Sequence, residues 1–368
     1  MKILIDLSFI KDGNTSIGFT RVSLNLLSGF IDLGMMEDII ILSDCSSSEF
    51  FRTGYKGLKV ITSKYTNNLY DKFFPFRKRN ELRKIIKTQT IDLLFCPFIS
   101  FNTITVHSCK SVGILHDVQK IKIMDQRKGI VSKLYKCWMG KVITGFSHIV
   151  TISDSEKTHI LSIYPLISQR LSVIHNGIEI VHDSTPVREL EGVPGYILDV
   201  NTLYKYKNPL VLIKAFQKIM DKIPHLLVFK GKPTPYWDKE IVPYISEHNL
   251  DKRVLLISRI LSDEEMSYLY RNASVFVSPS RMEGFGLTPV EAAINGTPVI
   301  CSNIDTLKET TLGLTDYFDP DDSDRLSELI MKYVSTSKLD YKSISERLSN
   351  EYSVRNQVIR YKNLFESL

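Results

Sequence analysis

Glu283 and Glu291 stand in the run Arg281-Met282-Glu283-Gly284-Phe285-Gly286-Leu287-Thr288-Pro289-Val290-Glu291, with seven residues between the two carboxylates. A carboxylate ahead of a Gly-aromatic-Gly turn, at the mouth of a strand, sits where a ligand can bind. Gly284 and Gly286 let the backbone approach that ligand closely. Thr288 reads as a helix N-cap and Pro289 as the first helical residue. The first-turn amides of such a helix, aided by its dipole, suit a phosphate. Glu291 has two readings: it bonds the cap amide in a Thr288-x-x-Glu291 capping box, or it faces the ligand. Glu283 has no capping role, and it follows a strand, where ligands of open α/β sheets bind. Phosphate binding at a helix start, with a carboxylate at the mouth of the strand beside it, is the chemistry this spacing offers.

Positioning these residues takes a strand before Glu283 and a helix after it, and the whole chain repeats that alternation. Apolar runs that read as strands lie at 2–8, 38–43, 91–98, 111–118, 148–153 and 171–176. A second series lies at 195–200, 225–231, 253–258, 273–279, 298–303 and 316–319. Runs of helical spacing, such as 209–220 and 262–273, separate them. Near-continuous apolar strands between helices imply parallel sheets covered on both faces. About twelve strands are too many for one sheet of usual width, and 368 residues suit two domains. The stretch 178–194 is polar, holds two prolines and shows no clean period, which predicts a linker. The expected fold class is α/β, with two Rossmann-like, doubly wound parallel-sheet domains facing a central cleft. They span 1–177 and 195–350, and a last helix spans 351–368.

The segment resembles the retaining GT-B glycosyltransferases, and family 4 in particular. Glu283 and Glu291 match the family's E-x7-E motif, and EGFGLTPVEA (283–292) and NGTPVICSN (295–303) continue the likeness. The resemblance implies that Glu283 contacts donor-sugar hydroxyls near the reacting carbon and that Glu291 binds the ribose hydroxyls. It places Gly284, Phe285, Gly286, Leu287 and Thr288 along the donor, with the amides from Gly286 to Thr288 on the pyrophosphate. VNTLYKYKNPLVLIKAF (200–216) resembles the family's first donor-domain strand and helix. It puts Lys207, with Lys205 and Asn208 beside it, where the family grips the donor diphosphate. Lys serves there as a point charge for a leaving group; the plain alternative is a solvated lysine at a helix start. Asn201 stands where the family often has Gly, and Tyr206 where it often has Arg. Either Lys205 takes that arginine's share of the phosphate or catalysis is weaker.

In the first half, His116-Asp117 ends a strand, and the family often carries His there, close to the transferred sugar. Asp117 would orient the ring. SIGFTR (16–21) stands at the family's glycine-rich loop; Gly18 remains of it, and Arg21 would supply positive charge from a shifted position. An ordinary helix entry fits nearly as well. VIHNGIE (173–179) and TISDSEK (151–157) are weaker likenesses, and Ser153 or Asp154 as a helix N-cap accounts for the second. By the same resemblance the last helix packs back on the first domain.

Net charge is +6, but unevenly spread. Residues 1–177 hold 24 lysines and arginines against 14 acids, and the remainder holds 23 against 27. The first half therefore prefers an acidic partner. FFPFRKRNELRKIIK (73–87) mixes three Phe with six cations, and a second basic stretch runs from Lys120 to Lys141. Such segments suit an anionic membrane surface, or form a solvated helix face. Nucleic acid is not the expected partner, since no helix-turn-helix, zinc or RNP pattern occurs. Five cysteines without a C-x-x-C pair read as reduced thiols. No run of about 18 apolar residues predicts a spanning helix, and the N-terminal MKILIDLSFIKDG reads as a strand rather than a signal peptide. The expected location is the cytoplasm, or the periphery of the inner face of the plasma membrane.

The expected reaction moves a hexose, with retention, from a nucleoside-diphosphate sugar (GDP-mannose by preference) to a hydroxyl of a glycan or lipid-linked glycan. O-antigen or another bacterial surface polysaccharide is the expected product. Glu283, His116 and Lys207 are the expected catalytic residues. No metal and no cofactor are expected, because a lysine and a helix start can carry the leaving-group charge. Two readings of the same fold stay open: a sugar-nucleotide epimerase, and a silent nucleotide-sugar-binding module, to which Asn201 and Tyr206 point. A dehydrogenase would need G-x-G-x-x-G after the first strand, which SIGFTR does not supply.

Overall fold

The computed structural model describes residues 1–11, 18–65, 75–126, 129–335 and 341–368. They form two compact units: Met1–Gly177 with Ser353–Leu368, and Ile178–Tyr352.

The first unit holds β1 (Ile3–Asp6), β2 (Ile39–Ser43), β3 (Lys59–Thr62), β4 (Leu93–Cys96), β5 (Lys110–Ile114), β6 (His148–Thr151) and β7 (Leu171–Val173). Their order is β3-β2-β1-β4-β5-β6-β7, and neighbours run parallel. The second unit holds β8 (Tyr196–Val200), β9 (Leu226–Lys230), β10 (Val254–Ile257), β11 (Val275–Ser278), β12 (Val299–Ser302) and β13 (Asp316–Phe318). Their order is β10-β9-β8-β11-β12-β13, again parallel. Strand order reverses at β1/β4 and at β8/β11, the switch points where loops part and ligands bind. The central strands are apolar on both faces because both faces are covered: β1, β4 and β11 are buried along their length.

Three features depart from the pattern or add to it. β3 is absent from the expected strands: it is a short edge strand, exposed at Lys59 and half-exposed beyond it, so it lacks the apolar run that marks the others. The stretch 178–194, expected as a linker, belongs to the second unit. Val187 and Leu190 are buried in it. Arg259 forks onto Glu189 at 2.8 and 3.0 Å, and Arg271 donates to the carbonyls of Val181 and His182. These contacts use long charged side chains and main chain, so local polarity hides them. Finally, the helix Val354–Ser367 packs on the first unit, where Phe30, Phe95, Tyr361 and Phe365 form one aromatic cluster. Gly29 makes room for it: a Cβ there would meet Val358 Cγ1 at 2.8 Å. Among the described residues no helix is long and apolar enough to cross a membrane.

Candidate active site

In the second unit, the loop after β11 carries Glu283 and runs into the helix Leu287–Ile294. Gly286 is the N-cap, in the left-handed region at φ 81°, ψ 58°. A Cβ there would also lie 2.5 Å from Leu307 Cδ2, so the turn needs glycine twice over. This corrects the expected cap. Thr288 is the second helical residue and Pro289 the third, where its missing N–H costs no internal helix bond. The left-handed glycine turns the chain into the helix before the Thr-Pro signal is reached. The Thr288-based capping box falls with it. Glu291 instead accepts a hydrogen bond from the Tyr270 hydroxyl at 2.7 Å. Phe285 is buried, edge-on to Tyr352 at 5.4 Å, and so anchors the loop while its backbone carries the turn.

Lys207 lies in the turn Lys205–Lys207 that follows β8. Its ammonium donates to Glu283 Oε1 at 2.7 Å, with the two side chains 14% and 9% exposed. Two residues 76 apart in sequence are thus one ion pair beside the switch point. The Thr306 hydroxyl donates to the Glu283 carbonyl and fixes that residue's backbone. Lys205 does not join them: it pairs with Glu240 at 3.4 Å and is 74% exposed. Asn208 is buried, in the left-handed region at φ 58°, and donates to the Pro320 carbonyl at 2.7 Å. It clamps two loops together. Arg281 joins the same clamp through its N–H to the Tyr206 carbonyl and its guanidinium to Asp321.

One residue of this site was not foreseen. Asp199, in β8, is fully buried. Its Oδ1 accepts from the Asn201 amide, and its Oδ2 has no hydrogen bond among the described residues. Burial pushes its carboxyl from the ordinary 3.8 up to about 7, with Asn201 and Lys207 opposing and the charge of Glu283 adding to the rise. The available signal was an acid inside an apolar strand with an Asn two residues on.

In the first unit, His116 follows β5 and bonds the Pro97 carbonyl through Nε2 at 2.9 Å, which assigns the proton to Nε2. Burial lowers its pKa to about 4, so the ring is neutral at pH 7 with Nδ1 as acceptor. The ring is oriented by Pro97. The Asp117 carboxylate, expected in that role, is exposed and accepts from the Gln119 amide at 3.2 Å. Beneath this loop sits Glu156, buried, accepting from the Val118 N–H at 2.6 Å. Burial lifts its carboxyl to about 8, against the pull of that N–H. Ser153 is the N-cap of its helix, bonding the Glu156 amide. Gly18 opens the helix Gly18–Asp32 with open space around the site of a Cβ, and Arg21 is half-buried on the same helix. That geometry is an ordinary helix entry; Ser16 and Ile17 lie outside the described residues.

The two basic stretches differ. Residues 73 and 74 lie outside the described residues; the rest of the first stretch forms the helix Pro75–Gln89, whose Lys78 turns inward and is buried. In the second stretch, where residues 127 and 128 are not described, the helix Ile130–Thr144 exposes Ile130, Val131, Leu134 and Trp138. These positions share one face of a helix.

Two family models match the chain: "Glycosyl transferases group 1" over residues 185–348 and "Glycosyltransferase Family 4" over residues 18–182. The O-antigen chain mannosyltransferase RfbU of Salmonella typhimurium is 26% identical over 321 residues, 84% of this chain and 85% of its own. The O-antigen chain mannosyltransferase B of Escherichia coli is 28% identical over 196 residues, 50% of each chain. In fold, the chain is similar to the crystal structure of Anabaena HepE in complex with UDP and glucose, with a TM-score of 0.75, 15% identity and 100% of both chains covered. It is also similar to that of WaaG, a glycosyltransferase involved in lipopolysaccharide biosynthesis, with a TM-score of 0.71, 15% identity and 99% of both chains covered. Two parallel-sheet units with these structural likenesses are the GT-B architecture. The two matched models together take in most of the sequence, and the chain belongs to glycosyltransferase family 4.

Proposed function

We propose that this chain is a retaining hexosyltransferase that moves mannose from GDP-mannose to a hydroxyl of a glycan or lipid-linked glycan in bacterial surface polysaccharide synthesis. The observation that carries the reading is the Lys207–Glu283 pair at 2.7 Å, three residues ahead of the left-handed Gly286 that starts a helix. A donor diphosphate would take the Lys207 ammonium from Glu283. The freed carboxylate would accept hydrogen bonds from the sugar hydroxyls. The N–H groups of Leu287 and Thr288 would share the phosphate charge. Glu291, held by Tyr270, would bind the ribose. Neutral His116, in the first unit, would accept a hydrogen bond through Nδ1 from the acceptor. In this reading the leaving-group charge is met by a lysine and a helix start, without metal or cofactor. The UDP and glucose of HepE support a nucleotide-sugar donor, and the relatives' names support mannose.

The exposed stripe Ile130, Val131, Leu134 and Trp138, on a helix that also carries Lys133, Lys136 and Lys141, supports docking on an anionic membrane surface, where a lipid-linked acceptor would be met. The transfer reading is tested by supplying GDP-mannose with a lipid-linked glycan and assigning the product's anomeric centre by NMR. Retention with a rate unchanged by EDTA is expected. Inversion, or loss of rate with the chelator, contradicts the mechanism. An isomerised nucleotide sugar formed without acceptor would make the chain an epimerase.

A further inference from the structure

We propose that Glu156 is a positioning residue for the transfer reaction: from a neighbouring helix it holds the loop 116–118 that carries His116. This rests on the transferase reading above, in which His116 meets the acceptor.

The loop has two ties. The first is on the ring, where His116 Nε2 donates to the Pro97 carbonyl at 2.9 Å. It orients the imidazole but does not fix the main chain that carries it. The second tie is on that main chain. Val118 closes the loop, one residue before the helix Gln119–Gln126. Its N–H donates to Glu156 Oε1 at 2.6 Å, across 38 residues of sequence. Glu156 lies in the first turn of the helix Asp154–Ile163, which follows β6. β5 and β6 are paired, so the bond joins the loops at the ends of two adjacent strands. Val118 is buried, and a buried N–H left without a partner is costly.

Helix capping does not account for this carboxyl. Ser153 is the N-cap, and its hydroxyl accepts from the Glu156 N–H at 3.0 Å, so the two residues have the spacing of a capping box. In such a box the glutamate serves the start of its own helix, as Glu265 does by accepting from the Ser262 N–H at 2.9 Å. Glu265 stays partly exposed, whereas Glu156 is 1% exposed and turns Oε1 to another element. Its Oε2 lies 3.3 Å from His159 Nδ1, on the next turn of the same helix. Burying a carboxyl is costly, and a cap works at the surface without that cost. What burial provides here is the bond to Val118.

The charged groups that act on the Glu156 carboxyl are Asp117 on the loop and Lys122 on the helix Gln119–Gln126, with His159 on its own helix. Burial raises the carboxyl to about 8; the Val118 N–H and Lys122 oppose the rise, and Asp117 adds to it. An opened loop would return the carboxyl to water and to its ordinary range near 4.5. The closed loop therefore keeps a proton that the opened loop releases. Closure is favoured most in acid and weakens as pH rises from that ordinary range towards 8, by up to about tenfold per pH unit.

The test uses the full chain. Amide exchange of the peptide 116–121, corrected for the intrinsic rate, is followed at pH 6 and pH 8 in wild type, Glu156→Gln and Glu156→Ala. Wild type should open at least tenfold more at pH 8. Glu156→Gln keeps an acceptor oxygen for Val118 but cannot ionise, so it should be protected equally at both. Glu156→Ala should lose at least tenfold protection at pH 6. In turnover with GDP-mannose and a lipid-linked glycan, Glu156→Ala should lower kcat at least tenfold with the donor KM within twofold, and Glu156→Gln should stay within threefold of wild type. On a His116→Ala background, Glu156→Ala should lower kcat no further. Wild-type protection in Glu156→Ala, wild-type pH dependence in Glu156→Gln, or a full further loss on the His116→Ala background would overturn the assignment. A wild type that transfers nothing would sink the transferase reading, and the exchange results would still decide whether Glu156 holds the loop.

Discussion

Replacing Lys207 by Met should destabilise the second unit by about 3 kcal/mol, and adding Glu283→Gln should recover much of that loss. The charged atoms are 2.7 Å apart with side chains 14% and 9% exposed. A solvated pair of this kind contributes roughly 0–1 kcal/mol. A buried pair that loses one partner costs about 3–5 kcal/mol, because a charge is left without compensation. The residual exposure here argues for the lower end of that range. In a unit of this size 1 kcal/mol moves Tm by roughly 2–4 °C, so Lys207→Met should lose roughly 6–12 °C. Trp237 is a suitable reporter: it is buried in the second unit, 5.1 Å from Phe229. The other of the two tryptophans, Trp138, belongs to the first unit, so a Trp138→Phe background isolates the signal. Urea unfolding of the two single variants and the double variant in that background gives the coupling energy directly. We expect at least about 1.5 kcal/mol of coupling; additivity within about 0.5 kcal/mol would refute a working ion pair.

Asp199 predicts a pH dependence of defined sign. Its folded pKa, raised to about 7 from 3.8, gives a contribution present below pH 4 and lost as pH rises through 7. About three units at roughly 1.4 kcal/mol each put about 4 kcal/mol on that window. Asp199→Asn should therefore raise Tm by several degrees at pH 8 and leave it unchanged at pH 4; an equal gain at both would contradict the buried-carboxyl account. Gly286→Ala, at φ 81° and 2.5 Å from Leu307, should cost about 1–3 kcal/mol in thermal unfolding and abolish the thermal shift given by a nucleotide sugar. Leu134→Glu with Trp138→Glu should release the chain from phosphatidylglycerol vesicles in a sedimentation assay without lowering transfer to a soluble acceptor. Retained sedimentation would move the membrane contact elsewhere.

The sequence carries the architecture well where burial is two-sided. Strands such as β1, β4 and β11 read as apolar runs because both their faces are covered, whereas β3 at the sheet edge shows a mixed face and no such run. Glu283 and Lys207 were legible one by one, each from its place after a strand and from the family resemblance. Their pairing was not, because no local pattern records a contact across 76 residues. The helix start was misplaced at Thr288 because Thr-Pro is a strong local signal, while the cap is the left-handed Gly286, where Leu307 leaves no room for a Cβ. Asp199 and Glu156 escaped for a related reason. Both are acids whose meaning comes from burial, and an acid in isolation reads as solvated or as part of a cap. The Asp6–Lys78 network shows the reverse, since a lysine that looked like one more surface cation is buried against β1.

Binding and turnover of a panel of nucleotide sugars by wild type, Lys207→Ala and Glu283→Ala test most directly whether the second unit holds a donor site. One donor at about 100 times its Kd should add roughly 2.7 kcal/mol of stability to wild type. That shift should be much reduced in Lys207→Ala, and turnover should be lost in Glu283→Ala. If no nucleotide or nucleotide sugar shifts the wild type, or if both variants bind and turn over as wild type does, the donor site is not where Lys207 and Glu283 meet.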